Sequence, residues 1–108
     1  SQISYSQVTS ALQGRYQVIS PSNADITEIS ANEIIVRAGE SVVEQYNLIE
    51  TKDDVYYFAK VNLRTPSKAN SEEKRIYQFK IIEVKDNEYT IHVLIPNGKE
   101  MEIQLRKL

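Results

Sequence analysis

Residues 55–63, VYYFAKVNL, alternate between two sets of side chains, and this alternation decides the fold. A period of two is typical of a β-strand, in which successive side chains point to opposite faces of the sheet. The pattern predicts a strand that buries its odd-numbered face and turns Tyr56 and Phe58 outward. The odd-numbered face consists of Val55, Tyr57, Ala59, Val61 and Leu63.

The same alternation continues toward the C-terminus. Residues 88–95, EYTIHVLI, and residues 101–105, MEIQL, repeat the period of two. In residues 75–84, RIYQFKIIEV, the apolar side chains change from odd to even positions at Ile81 and Ile82. One extra residue in a strand produces such a change. A β-bulge is therefore predicted here, which is the device that bends a sheet until it closes on itself.

Short turns separate the alternating segments, so neighbouring strands are expected to be antiparallel. One of the turns contains Asn97-Gly98, a strong hairpin signal. The pattern predicts an all-β fold, an antiparallel meander of about eight strands that forms a small barrel; a sandwich of two sheets is the alternative. The polar connection Thr65–Lys74 is expected to be a mobile surface loop. The short turns lie at residues 38–40, 52–54, 85–88 and 96–99.

The first residues differ from the rest, because they lack the period of two. Ser4 or Ser6 is suited to cap a short helix in which Val8 and Leu12 share one face, with Gly14 at its end. A helix with a single apolar stripe must lie on an apolar surface. We therefore expect the short helix to close one end of the barrel.

Composition limits the classes of function. The chain has 108 residues, which suits one domain, divided into a tail with a short helix at residues 1–13 and the meander at 14–108. It has 13 Lys and Arg, 15 Asp and Glu, and a net charge of −2, which argues against nucleic acid as a partner. It contains no apolar run of the roughly 20 residues that a transmembrane helix requires.

The chain starts at Ser1 without methionine or an apolar targeting segment. This start favours an exported protein, extracytoplasmic and either secreted, periplasmic or tethered to a membrane. A lipid anchor before Ser1 fits the same expectation, and a cloning boundary would produce the same start.

Residues suited to catalysis are scarce. The sequence contains no cysteine and a single histidine, His92, which the alternation places on the solvent face of a strand. The acidic pairs Asp53-Asp54 and Glu72-Glu73 and the DNE sequence at 86–88 fall in predicted turns, where such residues are favoured for local reasons. No enzyme activity, metal site or cofactor is expected.

Gly14-Arg15-Tyr16 and Arg106 carry a resemblance to a known family. A short helix, a glycine, any residue and an aromatic residue open the first strand of lipocalins, and a later arginine packs over that aromatic ring. The chain resembles these calycins, the lipocalins and fatty-acid-binding proteins, with tyrosine in place of tryptophan. Small bacterial lipocalin-like lipoproteins are nearest in size. The resemblance implies that Gly14, Tyr16 and Arg106 close the barrel.

Two functions follow from these observations. The first is a lipocalin-like binding module that holds a small apolar or amphipathic ligand. The second is a filled barrel that acts through its surface, as a protein interaction, inhibitor or assembly factor, with Tyr56 and Phe58 as the partner surface. Seven tyrosines suit either function, or they fill the barrel with their hydroxyls at its ends. The predicted ligand-binding residues are Tyr46, Tyr57, Phe79 and Ile91.

Overall fold

The computed structural model of the chain describes residues 7–63 and 75–108. Within these residues the chain forms eight β-strands and no helix. Every strand is antiparallel to its neighbour in sequence, as the short turns predicted. The strands are β1 Gly14–Ser20, β2 Ser22–Ile29, β3 Glu33–Ala38, β4 Ser41–Lys52, β5 Val55–Lys60, β6 Ile76–Lys85, β7 Glu88–Leu94 and β8 Glu100–Lys107.

The sheet closes into a barrel because β1 pairs with β8. Tyr16 lies opposite Lys107, and Val18 lies opposite Leu105. Closure gives each described strand two hydrogen-bonded neighbours, which leaves no exposed sheet edge among them. The predicted eight-stranded barrel is therefore confirmed, and the alternative of a two-sheet sandwich is wrong.

The tight turns have the residues that their backbone angles require. Asp53 and Asp54 have φ angles of 52° and 65°, and they join β4 to β5 as a two-residue turn. Asp86, between β6 and β7, has φ 56°. Aspartate tolerates this left-handed conformation better than most residues because its short polar side chain bonds locally. Asp53, Asp54 and Asp86 thus have a structural role in the turns, and the pair Glu72-Glu73 lies outside the described residues.

The bulge predicted in β6 is present. The pairing of β6 with β7 shifts by one residue between Ile81 and Glu83. The extra residue, Ile82, is 50% exposed, and Val84 then pairs with the inward-facing Tyr89. The change of parity in the sequence was therefore a correct sign of where the sheet bends.

The predicted orientation of β5 is wrong. Phe58 is only 1% exposed and lies in the core, and Tyr56 packs against the core beside it. Phe58 pairs with Leu48 on one side and Tyr77 on the other, and both of these side chains also pack against the core. This strand has apolar residues on both faces, so its own alternation does not decide which face is inside. The pairing with its neighbours decides.

The first described residues close one end of the barrel, as expected, although not as an α-helix. Val8 and Leu12 are buried in the core, and the Val8 amide donates to the carbonyl of Ala31 at 2.8 Å. Residues 9–13 form a turn with two successive backbone bonds, Leu12 N to Thr9 O and Gln13 N to Ser10 O. The predicted caps Ser4 and Ser6, and the predicted loop Thr65–Lys74, lie outside the described residues.

Candidate functional site

The two ends of the barrel differ in how they are filled. Residues 8–12, called here the plug, cover the end at which β1 begins. The void beneath the plug measures about 10 Å³, which is at the lower limit for one water molecule. Toward the opposite end lies a cavity of about 200 Å³, lined by residues of seven strands and by Pro21. The candidate site is therefore at the end away from the plug.

Side chains from four strands hold the plug in place. Tyr16, on β1, is fully buried and its hydroxyl donates to the carbonyl of Leu12. Lys107, on β8, donates to the carbonyl of Ala11 at 2.9 Å, and the Tyr89 hydroxyl, on β7, reaches the same carbonyl at 3.5 Å. The Thr9 amide donates to the hydroxyl of Tyr56 at 3.4 Å. These contacts attach the plug to the strands that surround this end of the barrel.

The prediction that Arg106 packs over the Tyr16 ring and closes the barrel is wrong. Its neighbour Lys107 lies beside that ring instead. Arg106 points outward and forms an ion pair with Glu88 at 3.0 Å. The ammonium of Lys107 lies 5.9 Å from the centre of the Tyr16 ring. Because Tyr16 faces inward and pairs with Lys107, the register places Lys107, and not Arg106, on the inner side. A cation therefore does lie beside the Tyr16 ring, but Lys107 supplies it and not Arg106.

Two features of the structure favour glycine at position 14. Its φ angle is +149°, a conformation that side chains disfavour. A Cβ atom there would also lie 2.9 Å from Cε of Lys107. The glycine thus leaves the space in which the Lys107 side chain reaches the plug, so the predicted structural role of Gly14 and Tyr16 at this end agrees with their positions.

Aromatic rings form a continuous series between the plug and the cavity. Phe58 lies edge-to-face with Phe79 at 5.1 Å between ring centres, Phe79 with Tyr46 at 5.9 Å, and Tyr46 with Tyr77 at 5.1 Å. Such pairs prefer edge contacts because the ring edge is positive and the face is negative. Phe79, together with Ile34 and Ile91, lines both the void under the plug and the large cavity. These three residues form the floor of the cavity.

The polar groups in the cavity wall are acidic or hydroxylic. Asp25 and Thr27 of β2 line it, and so do Glu44 and Tyr46 of β4. The Tyr46 hydroxyl donates to the carboxylate of Glu44, and Lys60 Nζ lies 3.2 Å from Glu44 Oε2. Burial raises the pKa of Tyr46 above its ordinary range, and the nearby negative charge of Glu44 raises it further. Tyr46 therefore stays a neutral hydrogen-bond donor.

The structure brings three of the four predicted ligand-binding residues together. Tyr46, Phe79 and Ile91 all line the cavity. Tyr57 does not line the cavity, because it lies on the outward face of β5, opposite Phe58. Its prediction as a ligand-binding residue followed from the wrong orientation of that strand. Whether these residues bind a ligand stays a prediction.

Sequence reasoning missed the acidic residues of the wall. Glu44 stands two positions before Tyr46 on one strand, so the period of two would have placed both on the same face. Asp25 stands two positions before Thr27 in the same way. A search for charged residues at inward positions would have found both of them.

His92 and the other titratable groups do not form a metal site in the described part of the chain. His92 Nε2 lies 3.7 Å from a carboxylate oxygen of Glu100 on the next strand. Within residues 7–63 and 75–108, no group of three or more His, Cys, Asp or Glu side chains is placed to hold a metal ion. In the same ranges, no helix has the length and apolarity needed to cross a bilayer.

Comparisons with protein-family models, curated proteins and solved structures found no match to this chain. The eight-stranded antiparallel barrel is compatible with a calycin-like fold.

Proposed function

We propose that this protein is a non-enzymatic, lipocalin-like binding module that holds a small apolar or amphipathic molecule inside the barrel. The observation that carries the proposal is the cavity of about 200 Å³ at the end away from the plug. A barrel that is packed closed at one end and contains a cavity toward the other can hold a small molecule that enters from one side.

The size of the cavity sets the size of the molecule. A dry cavity of about 150 Å³ with an aliphatic and aromatic lining accepts a benzene-sized molecule. The present cavity is somewhat larger and suits an aromatic ring with a short side chain. It does not have the volume for the extended chain of a long fatty acid.

The chemistry of the wall supports an amphipathic ligand. The floor of Ile34, Phe79 and Ile91 offers only apolar surface, and burying such surface favours binding by roughly 25 cal/mol per Å². The side chains of Thr27 and Tyr46 place hydroxyls in the same wall. A ligand with an apolar body and one polar end matches both.

The test is an NMR titration of the ¹⁵N-labelled protein with 2-phenylethanol, a neutral probe of the expected size. We expect amide shifts to change at Phe79, Ile91 and their neighbours. The variant Ile103→Phe adds volume in the cavity wall and should reduce affinity at least about tenfold, since it displaces the ring of the probe. The matched control is Ile82→Phe, at an exposed outward position, which should leave affinity unchanged.

Two results would contradict the proposal. One is the absence of shift changes at cavity residues for a panel of neutral aromatic and aliphatic probes. The other is equal loss of affinity in Ile103→Phe and Ile82→Phe, which would place binding elsewhere.

The alternative function, a partner surface on Tyr56 and Phe58, is not proposed. Phe58 is buried in the core, and the Tyr56 hydroxyl accepts a bond from the plug. Neither ring is therefore presented to a partner. Export, a lipid anchor and membership of the lipocalin family stay predictions.

A further inference from the structure

The charges in the cavity wall are already matched within the protein. Among the described residues that line the cavity, Asp25 and Glu44 are the charged ones. The Glu44 carboxylate is paired with the ammonium of Lys60 at 3.2 Å, and Asp25 has an interaction partner of its own. This described part of the wall therefore holds no charge that is free to pair with a ligand.

A charged ligand would lose hydration in the cavity without gaining a partner. An ion that leaves water for apolar surroundings is destabilised unless an opposite charge compensates it. A ligand ammonium would compete with Lys60 for Glu44, and a ligand carboxylate would compete with Glu44 for Lys60. Either exchange breaks an ion pair that the protein already has. The wall therefore favours an uncharged ligand.

The hydroxyl of Tyr46 offers such a ligand a hydrogen-bond acceptor. A tyrosine hydroxyl has one proton to donate and lone pairs that accept. The Tyr46 proton is directed to the Glu44 carboxylate, and a hydrogen bond to a charged acceptor is stronger than one to a neutral group. Burial raises the pKa of Tyr46, and the charge of Glu44 raises it further, so the proton stays in place. The lone pairs of the Tyr46 oxygen remain for a ligand.

Tyr46 also lies beside the apolar floor of the cavity. Its ring is edge-to-face with Phe79 at 5.9 Å between ring centres, and both residues line the cavity together with Ile91. Glu44, which accepts from the Tyr46 hydroxyl, precedes Tyr46 on β4, and this strand runs from the mouth toward the plug. A small molecule whose apolar body lies on Phe79 and Ile91 would therefore have its outer end next to Tyr46.

We propose that the ligand is an uncharged alcohol with an apolar body about the size of a phenyl group, whose hydroxyl donates to the oxygen of Tyr46. The inference rests on the proposed function, since it names the class of molecule for that same cavity. It excludes amines and carboxylic acids, whose charges meet no free partner in the described wall. It also places ethers and hydrocarbons below alcohols, because they have no proton to donate.

The first test compares two isomers that differ in their ability to donate. These are 2-phenylethanol, which donates and accepts, and benzyl methyl ether, which only accepts. Dissociation constants for the full chain are measured by NMR titration, and shift changes at Phe79 and Ile91 show that the cavity is the site. We expect the alcohol to bind about fivefold to tenfold more tightly than the ether, which is the usual contribution of one hydrogen bond.

The second test measures the effect of ligand charge. The probes are 2-phenylethylamine, which is cationic at pH 7, and the anionic 3-phenylpropionate. We expect both to bind at least about tenfold more weakly than 2-phenylethanol, because their charges are desolvated without compensation. Removing one member of the ion pair should change this for one probe only. Lys60→Met leaves Glu44 unpaired and should strengthen amine binding, whereas Glu44→Gln leaves Lys60 unpaired and should strengthen acid binding.

A variant of Tyr46 assigns the hydrogen bond. Tyr46→Phe keeps the buried ring and removes the acceptor, so it should lower alcohol affinity about fivefold to tenfold, to that of the ether, and leave the ether unaffected. The matched control is Tyr77→Phe. The Tyr77 ring packs against Tyr46 at 5.1 Å between ring centres but does not line the cavity. This control should keep the preference for the alcohol.

The outcomes separate this inference from the proposed function. If alcohol and ether bind in the cavity with equal affinity, or if the preference for the alcohol survives in Tyr46→Phe, the hydroxyl assignment is wrong and the binding function stands. Binding of the amine or the acid as tight as that of the alcohol would overturn the uncharged class. Unchanged amine binding in Lys60→Met and acid binding in Glu44→Gln would do the same. If no probe shifts the cavity residues, both proposals fail together.

Discussion

Tyr16 shows how one residue can serve both the core and the closure of the barrel. Its ring is fully buried, it meets the Tyr89 ring edge-to-face at 5.4 Å, and its hydroxyl donates to a plug carbonyl. Burial raises the pKa of Tyr16 above the ordinary value of 10.0, and Tyr89 raises it further. The neutral hydroxyl is the form that the closed barrel requires.

Stability should therefore fall in alkali. A tyrosine whose pKa is raised in the folded protein contributes stability that is fully present below the unfolded value of 10.0 and is lost as pH rises above it. We expect the free energy of unfolding, measured in urea, to decrease steeply above about pH 10. Tyr16→Phe should cost about 1 kcal/mol at pH 8, because the bond to Leu12 is lost, but should decline less steeply in alkali. An equally steep decline in Tyr16→Phe would contradict the assignment.

At the scale of the element, β5 shows what the sequence leaves open. Its period of two identified a strand correctly, but Val55 and Tyr57 on one face and Tyr56 and Phe58 on the other are equally apolar. The strands β7 and β8 have polar residues at alternate positions, so their inward faces could be predicted from the sequence alone. The inward face of β5 depends on pairing with β4 and β6, which is a non-local property.

Substitutions on β5 test its orientation. Phe58→Ala should lower the free energy of unfolding by about 3–5 kcal/mol, because it leaves a cavity among packed rings. Tyr57→Ala, on the outward face, should cost about 1 kcal/mol. The measurement is urea unfolding followed by circular dichroism.

Phe58→Leu provides the same test if Phe58→Ala does not fold. This smaller change should cost about 1–2 kcal/mol. If Tyr57→Ala lowered the free energy of unfolding more than Phe58→Ala, the inward orientation of Phe58 would be contradicted.

The plug is the second element that the sequence predicted in part. The spacing of Val8 and Leu12 indicated an apolar pair that covers an end of the barrel, and both side chains are buried. The helical geometry was not predicted correctly for residues 7–13, because their bonds to Ala31 and to the side chains of β5 and β8 come from outside the segment. A local pattern carries no information about such partners.

Removing the larger plug side chain should loosen this end of the barrel. Leu12→Ala should cost about 2–4 kcal/mol, since Leu12 is 5% exposed, belongs to the buried core, and lines the small void beneath the plug together with Phe58 and Ile81. Hydrogen exchange should quicken first at the amides of Val8 and Gln13, whose bonds hold the plug. Ser10→Ala is the control, because Ser10 is exposed and only its backbone carbonyl takes part in the turn. Equal protection in both variants would show that the plug does not depend on Leu12.

At the scale of the whole molecule, the meander and its closure differ in how far they could be predicted. Seven of the eight strand pairings join neighbours in sequence, and turn residues such as Asp53-Asp54 mark where each reversal occurs. The eighth pairing, β1 with β8, joins the two ends of the described barrel and has no local signal. The cavity is also a property of the whole, since its wall combines Asp25, Glu44 and Phe79 from three strands.

A disulfide across the β1–β8 seam would measure the closure directly. Gln17 and Arg106 are paired across this seam, and the sequence contains no cysteine to compete. The oxidised double variant Gln17→Cys, Arg106→Cys encloses almost the whole sheet, so the chain-entropy model predicts a gain of about 4.5 kcal/mol over the reduced form. The comparison variant is Lys80→Cys, His92→Cys, at two positions paired across the β6–β7 hairpin. Its disulfide closes a short loop and should gain about 3 kcal/mol over the reduced form. The two gains, obtained from urea unfolding with and without reductant, should therefore differ in that order. Failure of the seam cysteines to oxidise in the folded protein would mean that β1 and β8 are not joined in this register, and the barrel would be open.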